Sequence, residues 1–167
     1  MRRQALLQKM SAEKGIILFL GNVDSPAQYK DNCYKWRQDS SWLYFFGIDE
    51  PRFAATIDLE SGEEVIYADD FTLDDILWMG PMPTVASQAA AVGVDKTAPY
   101  AAIADALKGR QVHFLPTSRY ANMIMLGNLL GGLLINIRFT LLNKFNSEVV
   151  ELLEIVRSVV DIAPFEA

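Results

Sequence analysis

The sequence predicts an α/β fold, a mixed sheet covered by helices on both faces. Three observations predict it. Four short apolar runs, at 16–20, 53–58, 65–68 and 111–115, have strand length and are bounded by turn residues. Stretches with apolar residues three and four apart lie before, between and after them. Ser or Thr stands ahead of several of these stretches and Gly behind, the order of a helix cap and a helix stop. At 167 residues, with 51% hydrophobic and 22% charged residues, the chain can bury a core and is not of the disordered class.

Taken in order, Met1 to Met10 places Ala5, Leu6, Leu7 and Met10 on one face, which is helical spacing and not a signal peptide. Ile16-Ile17-Leu18-Phe19-Leu20, between Gly15 and Gly21-Asn22, reads as a buried central strand. Gly21 to Asn32 is polar and reads as a loop. Then comes the stretch around which the chain is organised, Tyr34-Lys35-Trp36-Arg37-Gln38-Asp39-Ser40-Ser41-Trp42-Leu43-Tyr44-Phe45-Phe46-Gly47. Six of its fourteen residues are aromatic, and a polar cluster sits among them. Rings of this size fix a core, and an Arg or Asp beside them is costly to bury unless paired. Residue chemistry alone predicts a core hairpin or turn with a satisfied polar knot, closed by Gly47 and Pro51, with Arg37 or Asp39 largely buried.

Phe53 to Asp58 and Val65 to Ala68 read as strands joined by a turn at Glu60-Ser61-Gly62-Glu63. Asp69, Asp70, Asp74 and Asp75 cluster next. Such carboxylates suit a divalent cation, but no Gly-centred calcium loop surrounds them. Thr72 as a helix cap, with Asp74 and Asp75 in the first turn, is the better reading. Trp78-Met79-Gly80-Pro81 closes that helix. Thr84 to Val92 is an Ala-rich helix stopped by Gly93, and Tyr100 to Lys108 one that starts after Pro99 and stops at Gly109. His113, the one histidine, sits on the short strand 111–115 and reads as structural. Tyr120 to Ile137 is uncharged over eighteen residues, but three Asn and three Gly argue against a membrane span. A helix from near Ser118 to Gly131-Gly132 is predicted instead. Residues 133–142 read equally as strand or helix, and Ser147 caps a helix from Glu148 to Val159.

Function classes narrow in the same way. A net charge of −6 argues against nucleic acid. The lone Cys33 cannot form an internal disulfide and fits a reducing, cytoplasmic setting. No nucleophile elbow, phosphate loop or dinucleotide fingerprint occurs.

The stretch 34–51 resembles the Tyr-x-Phe-Arg-Gln-Asp-Ser-Ser-Phe-x-Tyr-x-x-Gly-x-x-x-Pro signature in the amino-terminal domain of Xaa-Pro aminopeptidases and prolidases. These are the creatinase-like, pita-bread metallopeptidases. Trp36 and Trp42 stand where that family more often has Phe or Tyr. The opening "RRQAL" with "GIILFLGN", the Trp78-x-Gly80 after an acidic helix, and the linker-like 147–167 extend the resemblance. It departs at Val160, where the family usually has Lys.

The resemblance implies a six-stranded mixed sheet over residues 1–146, with 147–167 a helix and the start of a linker to a carboxyl-terminal catalytic domain. It implies no catalytic residue and no metal ligand in this chain. Two divalent metal ions, manganese by expectation, would sit in that further domain. The implied role is a non-catalytic one, in subunit contacts of a homo-oligomer and in narrowing access for peptides with proline second. Asp31 and Trp78 match positions that can face the substrate cleft. Tyr34, Arg37, Gln38, Asp39, Ser40, Ser41, Tyr44, Gly47, Pro51 and Gly80 match the structural signature. The alternative is a stand-alone, non-catalytic binding or assembly module.

Overall fold

The structure, a computed structural model, describes residues 2–29, 32–117 and 119–131. The expectations for 133–146, for the helix at 148–159 and for Asp31 lie outside these residues. A five-stranded mixed sheet forms the centre, in the order β4-β3-β2-β1-β5. It is built from β1 (Ile16–Leu20), β2 (Ala54–Asp58), β3 (Glu64–Tyr67), β4 (Lys96–Ala98) and β5 (Val112–Phe114). β1 pairs antiparallel with β2 and parallel with β5, while β3 pairs antiparallel with β2 and parallel with β4. The α/β class and the mixed sheet are as the sequence predicts. The described residues hold five strands; the resemblance implies six over residues 1–146, of which 133–146 lies outside them.

Strand alternation divides the core into two layers. Ile17, Phe19, Ala55, Ile57 and Ile66 face one side with α1 (Arg2–Lys9), α2 (Ser40–Phe45) and α4 (Val85–Ala91). Ile16, Leu18, Ala54 and Tyr67 face the other with α5 (Ile103–Leu107) and α6 (Tyr120–Leu130). The central β1 and β2 are covered on both faces, which is why they read as unbroken apolar runs. In β4, Lys96 and Thr97 are exposed. A three-residue edge strand with that composition carries no periodic signal, and the sequence reading omits it.

The β2–β3 turn is held by Asp58, whose Oδ1 accepts from the N–H groups of Glu60 and Ser61, both at 2.9 Å. Burial alone would raise the Asp58 pKa. The Arg110 guanidinium at 2.7 Å and the two turn N–H groups outweigh it and lower the value from 3.8 to about 2. A depressed folded-state pKa stabilises fully above the unfolded value and is lost as pH falls through the folded one. The melting-temperature gap between the native chain and Asp58→Asn should therefore be constant at neutral pH and close between pH 3.8 and about 2. Thermal melts along that acid limb check it, and a gap unchanged down to the lower limit refutes it.

Candidate functional site

The signature stretch is not a hairpin. After an extended entry, Asp39 takes a β conformation and its side chain accepts from Trp42 N–H at 2.9 Å, capping the six-residue helix α2. Ser40 and Ser41 form its first turn. Trp42 is fully buried, stacks on Phe46 at 4.8 Å between ring centroids, and donates its indole N–H to the Ile48 carbonyl at 2.7 Å. The run of aromatics carries strand propensity, but burial on one side of a single helical turn decides the conformation.

The polar knot exists, centred on Gln38, which is 3% exposed. Its Oε1 accepts from Asn22 N–H at 2.6 Å and from Asp39 N–H at 2.8 Å, and its Nε2 donates to the Glu50 carbonyl at 2.7 Å. Gly21 leaves room for it: a Cβ there would lie 2.7 Å from the Phe53 carbonyl oxygen and 3.2 Å from Gln38 Nε2. The expectation that Arg37 or Asp39 is largely buried is corrected. Arg37 is exposed and Asp39 half-buried. What Arg37 contributes is its backbone carbonyl, which accepts from Asn22 Nδ2 at 2.9 Å and Arg119 Nη2 at 3.3 Å. A guanidinium here would need several acceptors to be buried, whereas the neutral Gln amide meets one carbonyl and two N–H groups with one side chain.

Of the other signature residues, Tyr34 is 68% exposed. Tyr44 is half-buried, with the Arg2 guanidinium 4.2 Å above its ring centre. Gly47 ends the α2 segment with a φ of 74°. Pro51 leads into Arg52, whose φ of 62° is left-handed. The sequence reading missed three further residues of this region. Asn22 and Asn122 are buried and joined through Asn122 Nδ2 and Asn22 Oδ1 at 3.2 Å, tying α6 to the knot. Arg3 is the third, on the polar side of a helix that sequence spacing reads as solvated.

Trp78 lies in different surroundings. Helix α3 (Leu73–Met79) is capped by Thr72 and Asp75 in a reciprocal box, as predicted, but none of its residues is buried. Leu73 is 86% exposed, Leu77 80% and Trp78 86%. Gly80, at a φ of 84° with open space around it, turns the chain back towards α4. The structure keeps Trp78 apart from the knot residues.

No metal fits the acidic cluster. Asp69 Oδ1 accepts from Tyr100 N–H at 3.1 Å, Asp70 Oδ1 from Val85 N–H at 2.7 Å, and Asp75 is engaged by Thr72. These carboxylates are turned towards separate backbone groups, not one point. His113 Nε2 lies 2.9 Å from the Lys14 carbonyl. Among the described residues no group of three His, Cys, Asp or Glu converges. Tyr100 is pushed up to about 12, first by burial and further by Asp69, against the pull of Arg52. Its hydroxyl donates to Met125 Sδ at 3.0 Å, joining the turn before α5 to α6. Among the described residues no helix is long and apolar enough to cross a membrane.

Comparison with known proteins places this architecture. A family model described as "Aminopeptidase P, N-terminal domain" matches residues 1–113. A probable Xaa-Pro aminopeptidase of Penicillium rubens is 32% identical over 74 residues, 44% of this chain and 15% of that protein. Among solved structures, Pseudomonas aeruginosa aminopeptidase PepP superposes with a TM-score of 0.63 at 22% identity, over 86% of this chain and 32% of that one. Zinc-substituted Escherichia coli aminopeptidase P in complex with product gives 0.62 at 21% identity, over 78% and 31%. This chain thus spans under a third of the length of each of these proteins. The α/β fold with its mixed sheet is shared with these aminopeptidase P structures, the family model covers more than half of the sequence, and the chain belongs to the aminopeptidase P N-terminal domain family.

Proposed function

We propose that the chain is the non-catalytic amino-terminal domain of a metal-dependent Xaa-Pro peptidase, in which it contributes to subunit contacts and restricts access for peptides with proline second. The observation that carries the access role is Trp78, an indole left 86% exposed on a helix with no buried residue. A large apolar ring held out from its own body is suited to a partner surface or a bound apolar group, and the flat face of proline is such a group. The names of the relatives, Xaa-Pro aminopeptidases, support the substrate class. The reaction belongs to a further catalytic domain, where two divalent ions, manganese in our reading, would polarise the scissile carbonyl and activate water. The present residues bind, orient and exclude. Asp31 is proposed beside Trp78 as the carboxylate that meets the peptide's free amino group.

Trp78→Ala separates the readings. Removing a core tryptophan costs about 3–5 kcal/mol, whereas an exposed one costs less than about 0.5 kcal/mol. The isolated chain should therefore melt within a degree or two of the native one. In the full-length enzyme the same change should lower kcat/KM for short Xaa-Pro peptides by roughly tenfold, the loss of about 1.4 kcal/mol of binding. Unchanged kinetics in a folded full-length variant would remove the access role.

A further inference from the structure

We infer that Asp69 and Asp70 are positioning residues for Trp78, clamping the base of an arm whose tip carries the indole; this rests on the access role proposed above. The observations are topological and local. The chain leaves the sheet after β3 at Ala68, runs through α3, and returns at α4. No residue of α3 is fully buried, so packing holds the direction of the helix only weakly. Its own capping box keeps it helical.

What joins the arm to the body is the pair of aspartates ahead of it. Asp70 Oδ1 reaches across to Val85 N–H, fifteen residues on, and closes the arm at its neck. Asp69 Oδ1 takes Tyr100 N–H, thirty-one residues on, at the turn before α5. Adjacent residues thus grip two different elements, one on each face of the sheet, and two such contacts oppose rotation as well as translation. Both are carboxylate bonds to backbone N–H, of the stronger, charge-assisted kind. At the other end of the arm Gly80 occupies a conformation that only glycine adopts freely, and the return limb is met by Gln88 Nε2, which donates to the Pro83 carbonyl at 3.4 Å, a longer and uncharged contact. Leverage follows from length. A seven-residue helix is about 10 Å long, so a tilt of roughly 20° at the base moves its tip by about 3–4 Å. Displacements of this size are enough to lose the contact of a ring with a small substrate.

The test follows the arm directly. Nitroxide labels on Leu77→Cys, which is exposed on α3, and Ala104→Cys, exposed on α5, report their separation in a Cys33→Ser background. In the native chain the distance distribution should be narrow. Asp69→Ala with Asp70→Ala should at least double its width, with the single changes intermediate. Asp69→Asn with Asp70→Asn should restore it, because an amide oxygen still accepts from both N–H groups. In the full-length enzyme, without labels, the alanine pair should raise KM for a tripeptide such as Ala-Pro-Ala several-fold with kcat held, and the asparagine pair should not. An unchanged width in a folded alanine pair overturns the clamp, whatever the kinetics. A broadened arm with normal kinetics, where Trp78→Ala slows the enzyme, overturns the positioning role. A broadened arm with Trp78→Ala kinetically silent overturns the access role and supports the clamp alone. Should the alanine pair not fold, the single variants carry the same readouts.

Discussion

Replacing Gln38 by Leu should lower the melting temperature more than any change at the neighbouring Arg37. The substitution preserves volume and leaves the Asn22 N–H, the Asp39 N–H and the Glu50 carbonyl without their partner. An orphaned buried donor or acceptor costs about 1–3 kcal/mol, with the part-buried ones at the low end, so the sum is about 3–4 kcal/mol. At roughly 2–4 °C per kcal/mol for a chain of this size, the fall is about 6–15 °C. Arg37→Ala keeps the backbone carbonyl that Asn22 and Arg119 use, and should shift the midpoint by no more than an exposed control such as Gln8→Ala. Thermal melts of the three variants decide it. Equal shifts for Gln38→Leu and Arg37→Ala would show that the knot does not depend on the amide.

The second large effect is expected at Arg3, which is 9% exposed. Its Nε donates to Glu64 Oε2 at 2.7 Å, its Nη1 to the Phe45 carbonyl at 2.9 Å, and its Nη2 to the Val92 carbonyl at 2.8 Å. The guanidinium also lies 5.2 Å from the centre of the Phe46 ring. One planar group thus joins α1 to α2, to β3 and to the end of α4, an arrangement that suits the five-donor fork of Arg and not the point charge of Lys. Breaking a buried pair by removing one partner typically costs about 3–5 kcal/mol, because the other charge stays behind. Arg3→Met should show that cost in denaturant melts. Arg3→Lys should recover less than half of it. In an Arg3→Met, Glu64→Gln double variant the cost should shrink, since no buried carboxylate remains. Additive losses in that cycle would show that Glu64 is not coupled to Arg3.

These residues also show what could be read from the chain. Strands buried on both faces announce themselves as apolar runs, so β1 and β2 were legible, and so were the cap at Thr72 and the turn at Gly62. The signature 34–51 marked the structural centre, though not its conformation: aromatic composition points to a strand, while α2 is decided by how Trp42 packs. The identity of the knot's central residue was not legible either. Arg37, Gln38 and Asp39 are consecutive polar residues, and which of them turns inward depends on the Asn22 loop and the Glu50 carbonyl, both distant in sequence. Arg3 was hidden for the same reason. Apart from Glu64, its acceptors are backbone carbonyls, and a carbonyl has no letter in the sequence. The exposure of Trp78 could be stated only as a choice between core and surface, since a Trp beside a Gly-Pro turn satisfies both patterns.

The reach of Arg3 has a consequence for the order in which this domain assembles. Its acceptors lie 42, 61 and 89 residues further along the chain. The central strand β1 waits longer still, since its parallel partner pairs Ile17 with His113. A ribosome adding about 5–20 residues each second needs several seconds to deliver those partners. Over that interval the start of the chain holds a cationic helix and a five-residue apolar strand with one edge open, and the loops to be closed grow costlier with length. In order of synthesis, β1 therefore meets its antiparallel partner β2 well before its parallel partner β5 exists, and the Val92 carbonyl that Arg3 binds is among the later partners to be delivered.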